Sequence, residues 1–385
     1  MNNRDPFFSP RQETTFRRRD FMRSVAALAA LPMLRQTPVA AATAPTPLPG
    51  FGRRRIGAVA YAFHYALGLF GAYATRAGER WDVFRFIEET RKAGGDVAQI
   101  YHTSIRSFGE DDFQRLRRFA ADLDVALEVH GGQATRKDFD RTIRQAATLG
   151  SRVIGCSFGM MMRPDKIGTL EAWDNFVAQS RARLRELVDQ ARMLNITIAV
   201  ENHLDFGVEE LRDLVRQMDS PHAGVMFDVG NTLGTLDDPT EAADVLGPLT
   251  VATHYKDFAV EETERGFRLT MVPLGCGSLR LPEITERLLK HVRPEVNFSI
   301  EMINGQQLEI PWLEDRFWIP YRNKAAREVA ATLRHIRSKP MNRAELKSLS
   351  DLEKLSDEEQ IRLEQDRIAR CIAYLRQIVG TPVPK

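Results

Sequence analysis

The chain reads as a (β/α)8 barrel with an extra C-terminal helix, on three observations. Short apolar, strand-like runs alternate with amphipathic helical patterns along most of its length, as successive βα units require. Eight such runs are present, the strand number at which a parallel sheet closes on itself. Four consecutive runs each end in a carboxylate or an imidazole, at Glu201, Asp228, His254 and Glu301, and barrel sites form at the C-terminal ends of strands. With 385 residues, 43% of them hydrophobic, the chain can bury a large core as one barrel domain.

The elements follow in order. Ile56-Gly-Ala-Val-Ala-Tyr61 is the first strand, and residues 81–92 form an amphipathic helix behind it. Residues 96–102 are the second strand, followed by a helix over 111–123 with Phe113, Leu116 and Phe119 on one side. Val125-Ala-Leu-Glu-Val-His130 is the third strand, ending in Gly131-Gly132, and a helix over 136–149 leads to the fourth strand at 152–156. Trp173, Phe176, Val177, Leu184, Leu187, Val188, Ala191 and Leu194 then recur at the helical period, the clearest helix of the chain. Ile196-Thr-Ile-Ala-Val-Glu-Asn-His203 is the fifth strand and opens into a polar loop. A helix over 208–218, a sixth strand over 223–228, a helix from Thr240 and a seventh strand over 250–254 come next. A hairpin and loop over 267–280, a helix over 282–292 and an eighth strand over 296–301 complete the count. Residues 324–337 are expected as the eighth helix, preceded by an aromatic insertion over 311–320. The capping box Ser356-x-x-Glu359 opens a final helix that stops at Gly380, outside the barrel or against a second subunit.

The formal net charge is +2, with Lys and Arg scattered along the chain, which argues against nucleic acid as the main partner. Cys156, Cys276 and Cys371 are odd in number and far apart, so the fold does not depend on disulfides. Arg18-Arg-Asp-Phe-Met-Arg23, the apolar stretch over 25–34 and the small-residue run Val39-Ala-Ala-Ala-Thr-Ala44 resemble a twin-arginine signal peptide with its cleavage site. The apolar stretch is too short to span a bilayer, for which about 20 residues are needed. The expectation is therefore residues 1–45 as signal and linker, 46–340 as barrel and 341–385 as C-terminal extension. The protein would be exported folded by the twin-arginine machinery to the periplasm or beyond, without stable membrane insertion. Folded export also lets a weakly binding metal be loaded before crossing, away from zinc and copper.

Along the chain, 27, 26 and 47 residues separate Glu201, Asp228, His254 and Glu301. The first two intervals are one βα unit each, so strands five to eight supply one ligand apiece. Two Glu, one Asp and one His make a mainly oxygen site, suited to Mn²⁺, Mg²⁺ or Co²⁺ more than to structural zinc; Mn²⁺ is the first expectation.

Glu201-Asn-His203, Phe227-Asp-Val-Gly-Asn231, His254-Tyr-Lys-Asp257 and Ser299-Ile-Glu301 resemble the strand-end motifs of the xylose-isomerase-like barrel superfamily, the sugar phosphate isomerase/epimerase group. The segment over 273–284, with Gly275-Cys-Gly277, resembles its glycine loop. The resemblance implies Glu201, Asp228, His254 and Glu301 as metal ligands, with Glu201 and Glu301 facing each other across the substrate as proton-transfer groups. An ion chelated by a ketone and a neighbouring hydroxyl would acidify the adjacent C–H and stabilise the enediolate, giving isomerisation or epimerisation of a neutral sugar or cyclic polyol carbonyl compound. Asn231 stands where ketose 3-epimerases carry His, and Gly207 and Val260 where they carry Glu and Arg. His254-Tyr-Lys256 is closer to the dehydratase and inosose-handling branch, so elimination by a dehydratase or a 3-keto-glycoside lyase is the alternative, with Lys256 catalytic.

His203, His130, Asn231 and Asp257 are the candidate substrate contacts. The alternatives are a structural histidine for His203, a turn residue for His130 and a partner of Lys256 for Asp257. His64 and His102 hold similar strand ends with a weaker claim. Trp312 and Trp318 are expected at a subunit contact or a sugar-stacking lid, and with the final helix they leave a homo-oligomer open. Met160-Met-Met162 is expected as pocket lining or core. An endonuclease-IV-like zinc site would need several more histidines, and a non-catalytic sugar-binding barrel would not need two glutamates on one metal.

Overall fold

The computed structural model describes residues 54–69, 80–159, 163 and 167–381. The segments expected as export signal and linker, and the 160–162 methionines, lie outside the described residues. Eight parallel strands close into a barrel: β1 (Ile56–Val59), β2 (Val97–Tyr101), β3 (Ala126–Gln133), β4 (Val153–Ser157), β5 (Thr197–Glu201), β6 (Ala223–Asp228), β7 (Thr250–Tyr255) and β10 (Phe298–Ile300). β10 pairs with β7 on one side and with β1 on the other, completing the ring. Seven helices follow in the βα pattern: α1 (Val83–Lys92), α2 (Glu110–Asp122), α3 (Phe139–Leu149), α4 (Leu170–Met193), α5 (Val208–Arg216), α6 (Pro239–Leu246) and α7 (Leu281–Leu289). Side-chain caps set several starts: Asp82 accepts from Arg85 N, Thr169 from Ala172 N, and Asp238 from Thr240 N and Glu241 N.

The register of the strands brings the candidate ligands into one layer. Glu201 pairs with Met226, two residues before Asp228, and Asp228 pairs directly with His254. His254 pairs with Ser299, two residues before Glu301. Side chains two apart on a strand share a face, so all four point into the barrel. Below them the interior is a layer of small and flexible side chains, Ala199, Met226 and Ala252. Gly155 leaves room for them: a Cβ there would fall 2.2 Å from Met226 Cε and 2.9 Å from the His130 ring, so both would have to move.

The expected hairpin after the seventh strand is real but begins earlier. β8 (Asp257–Thr263) starts one residue past Lys256 and turns back as β9 (Gly266–Val272). β11 (Gln307–Ile310), just before the aromatic insertion, adds antiparallel to β9 and makes a separate three-stranded sheet.

The C-terminal region differs from expectation in one respect. α8 (Ala326–Arg337) is present, but the helix that flanks the closing strands β10 and β1 is α9 (Asp357–Val379). Glu364 of α9 accepts from Tyr65 N and Ala66 N at 2.7 and 3.1 Å, at the top of the barrel. Arg376 reaches the bottom, donating to Asp96 Oδ1 at 2.8 Å and to Gly94 O at 2.9 Å. Ile368, Cys371, Ile372 and Leu375 bury the inner face between these two anchors. α8 instead sends His335 to Asp238, near the start of α6, with Nδ1 3.3 Å from Oδ2. Helical periodicity predicts both helices but not which one covers the seam. Among the described residues no helix is long and apolar enough to cross a membrane.

Candidate metal centre

β5, β6, β7 and β10 carry Glu201, Asp228, His254 and Glu301 to the barrel mouth, where one ligand atom of each lies within 4.8 Å of the others, all buried. His254 Nδ1 is 3.2 Å from Glu201 Oε1, 3.2 Å from Glu301 Oε2 and 3.9 Å from Asp228 Oδ2. Asp228 Oδ1 accepts from the backbone of Gly230 and Asn231 at 2.9 and 3.1 Å, which aims Oδ2 inward. The amide of Asn202 clamps the Asp228 backbone from both sides at 2.8 Å. Asp228 Oδ2 and Glu301 Oε2 are buried with no hydrogen-bond partner of regular geometry among the described residues, and such oxygens need positive charge beside them; the Lys256 ammonium supplies one such charge against three carboxylates. Three carboxylates and one imidazole converging in this way fit a divalent ion held by those four residues.

Lys256 is part of the same cluster. Its ammonium is 2.7 Å from Asp228 Oδ2, 2.8 Å from Glu301 Oε2 and 3.3 Å from Asn231 Oδ1. Its stem lies over Gly230, where a Cβ would come 2.6 Å from Lys256 Cγ. The charges shape the titrations. Burial opposes ionisation of His254, but the Glu201 and Glu301 carboxylates push it up to about 10, so a metal must displace a proton there. Burial also works against Glu301, yet the Lys256 ammonium and His254 hold it down to about 2. For Asp228 burial wins over Lys256, and its carboxyl sits up at about 6.

His130 and Asn231 join the site. Gly132 N donates to His130 Nδ1 at 3.2 Å, so the ring hydrogen sits on Nε2 and points to Glu201 Oε2 at 3.2 Å. Asn231 Nδ2 is 3.4 Å from Glu201 Oε1. His203 is half-buried, within electrostatic reach of Glu201, and its Nδ1 has no hydrogen-bond partner among the described residues.

Asp257 does not face the cluster and does not pair with Lys256, a correction to its place among the substrate contacts. Its carboxylate accepts from Gly275 N, Gly277 N and Leu279 N at 3.0, 2.9 and 3.1 Å, with Lys339 at 3.8 Å. It anchors the glycine loop; a Cβ on Gly277 would fall 2.2 Å from Asp257 Oδ1. His64 is also turned away, 3.1 Å from Glu364 of α9. His102 stays at the rim against the Tyr101 ring, centroids 4.5 Å apart. Trp318 is tied back to the insertion through Trp312 O at 2.8 Å.

Sequence reasoning missed Gln99, Glu128, Tyr61 and Tyr101. Gln99 Oε1 meets His254 Nε2 at 2.7 Å, and Gln99 Nε2 donates to Glu128 at 3.1 Å. The rings of Tyr61 and Tyr101 line the mouth beside His130, at 6.4 and 6.0 Å between centroids. Burial, contact with Tyr101 and the nearby Glu301 and Glu201 raise the Tyr61 phenol well above its usual range. The available signal was a lone polar residue inside an apolar strand, as at Gln99 and Glu128. A separate groove of about 660 Å³ between α5, α6 and α8 shares no residue with the cluster.

The fold and the cluster define a TIM-barrel protein with a candidate divalent-metal centre. The chain belongs to the xylose isomerase-like TIM barrel family, whose model matches residues 87–338. It is similar to the 3-oxo-isoapionate decarboxylase of Pectobacterium atrosepticum, 25% identical over 228 residues that cover 58% of this chain and 77% of the relative. Its fold is similar to that of D-psicose 3-epimerase from Clostridium cellulolyticum H10, with a TM-score of 0.56, 15% identity and coverage of 84% and 99% of the two chains. It is likewise similar in fold to a probable 3-DHS dehydratase from Bacillus anthracis, with a TM-score of 0.50, 12% identity and coverage of 73% and 98%.

Proposed function

We propose that this protein is a divalent-metal-dependent isomerase or epimerase of a neutral sugar or cyclic polyol carbonyl compound. The observation that carries the reading is the pairing of Glu201 and Glu301 in one buried cluster, each 3.2 Å from the same imidazole nitrogen. A bound divalent ion, Mn²⁺ by first expectation, would polarise the substrate carbonyl. One glutamate takes the proton from the carbon beside that carbonyl, and the electron pair moves onto the carbonyl oxygen. The other glutamate, entering the step with a proton, gives it to the opposite face of the same carbon or to the neighbouring carbon, and the first glutamate is left protonated for the reverse direction. His130, through its Nε2–H, orients Glu201. Burial of the whole set keeps water from competing for the proton.

A lyase is the second reading, favoured by the Lys256 ammonium lying on the cluster. There it can donate a proton to an oxygen leaving from the β carbon after the same proton abstraction. The decarboxylase among the relatives is also named for a bond cleavage on a 3-oxo compound. The twin-arginine motif supports the same chemistry outside the cytoplasm. The test is hydrogen exchange in D₂O with metal-loaded protein, residues 45–385, and a panel of ketoses, inososes and 3-keto-glycosides followed by NMR. Deuterium beside the carbonyl, lost in Glu301→Gln, is the expected result, and the product separates epimer from eliminated species. No exchange with any substrate despite bound metal would sink both readings.

A further inference from the structure

The barrel floor beneath the cluster carries an unusual feature. Barrel interiors are filled mainly by layered apolar side chains, yet here a buried polar chain runs from the ligands toward the opposite face. His254 Nε2 lies 2.7 Å from Gln99 Oε1. Gln99 Nε2 donates to Glu128 Oε2 at 3.1 Å, and Asn297 Nδ2 donates to Glu128 Oε1 at 2.8 Å. Asn297 is held in turn by Arg55 N, which donates to Oδ1 at 3.2 Å. Gln99 and Glu128 are 0% and 6% exposed.

The chemistry of these groups runs in one direction. A carboxylate only accepts hydrogen bonds, so Glu128 forces the amide nitrogen of Gln99 to face it. The amide oxygen must then face His254, and an amide oxygen also only accepts. His254 therefore carries its hydrogen on Nε2. Nδ1 is the nitrogen left to face Glu201 and Glu301, at 3.2 Å from each.

We propose that Gln99 and Glu128 are positioning residues that select this tautomer of His254 and thereby set the affinity of the cluster for a divalent cation. The proposal rests on the metal-centre reading and deepens it. Partners of this kind behind a histidine ligand commonly change metal affinity roughly 10–100-fold when removed. Here the orienting carboxylate acts through an intervening amide, so both residues are required. Asn297 and Arg55 anchor the far end and keep Glu128 from rotating away.

The test is a Mn²⁺ titration followed by electron paramagnetic resonance on wild type, Gln99→Met, Glu128→Gln, His254→Ala and the exchanged pair Gln99→Glu with Glu128→Gln. A second readout is the ring nitrogen NMR spectrum of His254 in Mg²⁺-loaded protein, which reports the tautomer independently of turnover. Gln99→Met is expected to weaken Mn²⁺ binding roughly 10–100-fold. In Glu128→Gln the fixed Asn297 donor holds the new amide's oxygen, so its nitrogen faces Gln99, which turns over and presents its own nitrogen to His254 Nε2; the expected signature is the opposite tautomer, with the hydrogen on Nδ1, and weakened binding. The exchanged pair restores a carboxylate acceptor for Nε2–H and an amide donor toward it, and is expected to recover most of the affinity. Wild-type affinity with the hydrogen still on Nε2 in Glu128→Gln would overturn the proposal. That variant and the exchanged pair keep every buried polar partner, so they carry the test if Gln99→Met does not fold. Unchanged affinity in His254→Ala would instead overturn the metal-centre reading itself.

Discussion

Replacing Lys256 with methionine separates the electrostatics of the cluster from its chemistry. With Glu201, Asp228 and Glu301 ionised, Lys256 charged and the proton that His254 holds up to about 10 displaced, the cluster carries two net negative charges, the complement of a divalent ion. The ammonium contacts two of the ligand oxygens at 2.7 and 2.8 Å. At an effective dielectric of about 20, each contact is about 6 kcal/mol of gross attraction. Desolvation of the ions offsets much of that, and removing one partner of a buried pair leaves a net loss of about 3–5 kcal/mol. Metal-free Lys256→Met should therefore unfold roughly 4–7 °C lower than wild type. Bound metal compensates the bare carboxylates, so the loss should nearly vanish in saturating Mn²⁺. By linkage, a difference of about 3 kcal/mol between the two conditions means Mn²⁺ binding about 100-fold tighter in the variant. Turnover should fall nonetheless if Lys256 donates a proton to the substrate. Thermal scans with and without Mn²⁺ and a calorimetric titration measure these quantities. Equal destabilisation in both conditions with unchanged affinity would refute the idea that the ammonium and the metal share one field.

Other outcomes follow from single contacts. Asp205 is fully buried, with no partner for Oδ2 among the described residues, and burial pushes its carboxyl up to about 6. The folded protein thus holds that proton more tightly than the unfolded chain, and stability falls as pH rises from about 4 to about 6. Asp205→Asn should be more stable than wild type by up to about 3 kcal/mol at pH 7.5, with no gain near pH 4, as read by urea midpoints at both values. Glu364→Ala leaves Tyr65 N and Ala66 N without their carboxylate and should cost about 3 kcal/mol; a change under 1 kcal/mol would show that α9 is not anchored there. Gly230→Ala puts a methyl 2.6 Å from Lys256 Cγ, so circular dichroism should stay native while turnover drops about tenfold or more through misplacement of the ammonium. Chelation should abolish activity and Mn²⁺ should restore it; activity persisting in metal-depleted protein would remove the ion from the reaction.

The sequence by itself determined the barrel and the identity of its candidate ligands. Strand alternation, helical period and caps such as Ser356-x-x-Glu359 are local, so β6 at Ala223–Asp228 and α9 at Asp357–Val379 coincide with the expected elements. The ligands were legible because each sits at the end of its own strand, and the barrel's rule places strand ends together. Lateral relations were not legible. The side on which α9 packs depends on where Glu364 and Arg376 find partners some 300 residues away in sequence. The opposite fates of Lys256 and Asp257, one on the cluster and one beneath the glycine loop, follow from the strand alternation at the β7–β8 junction, and only the closed barrel shows which face is the lumen. Gln99 and Glu128 looked like isolated polar residues in apolar strands because their partners come from other strands. Their meaning depends on the stagger with which the barrel closes, a property of all eight strands and of no single segment.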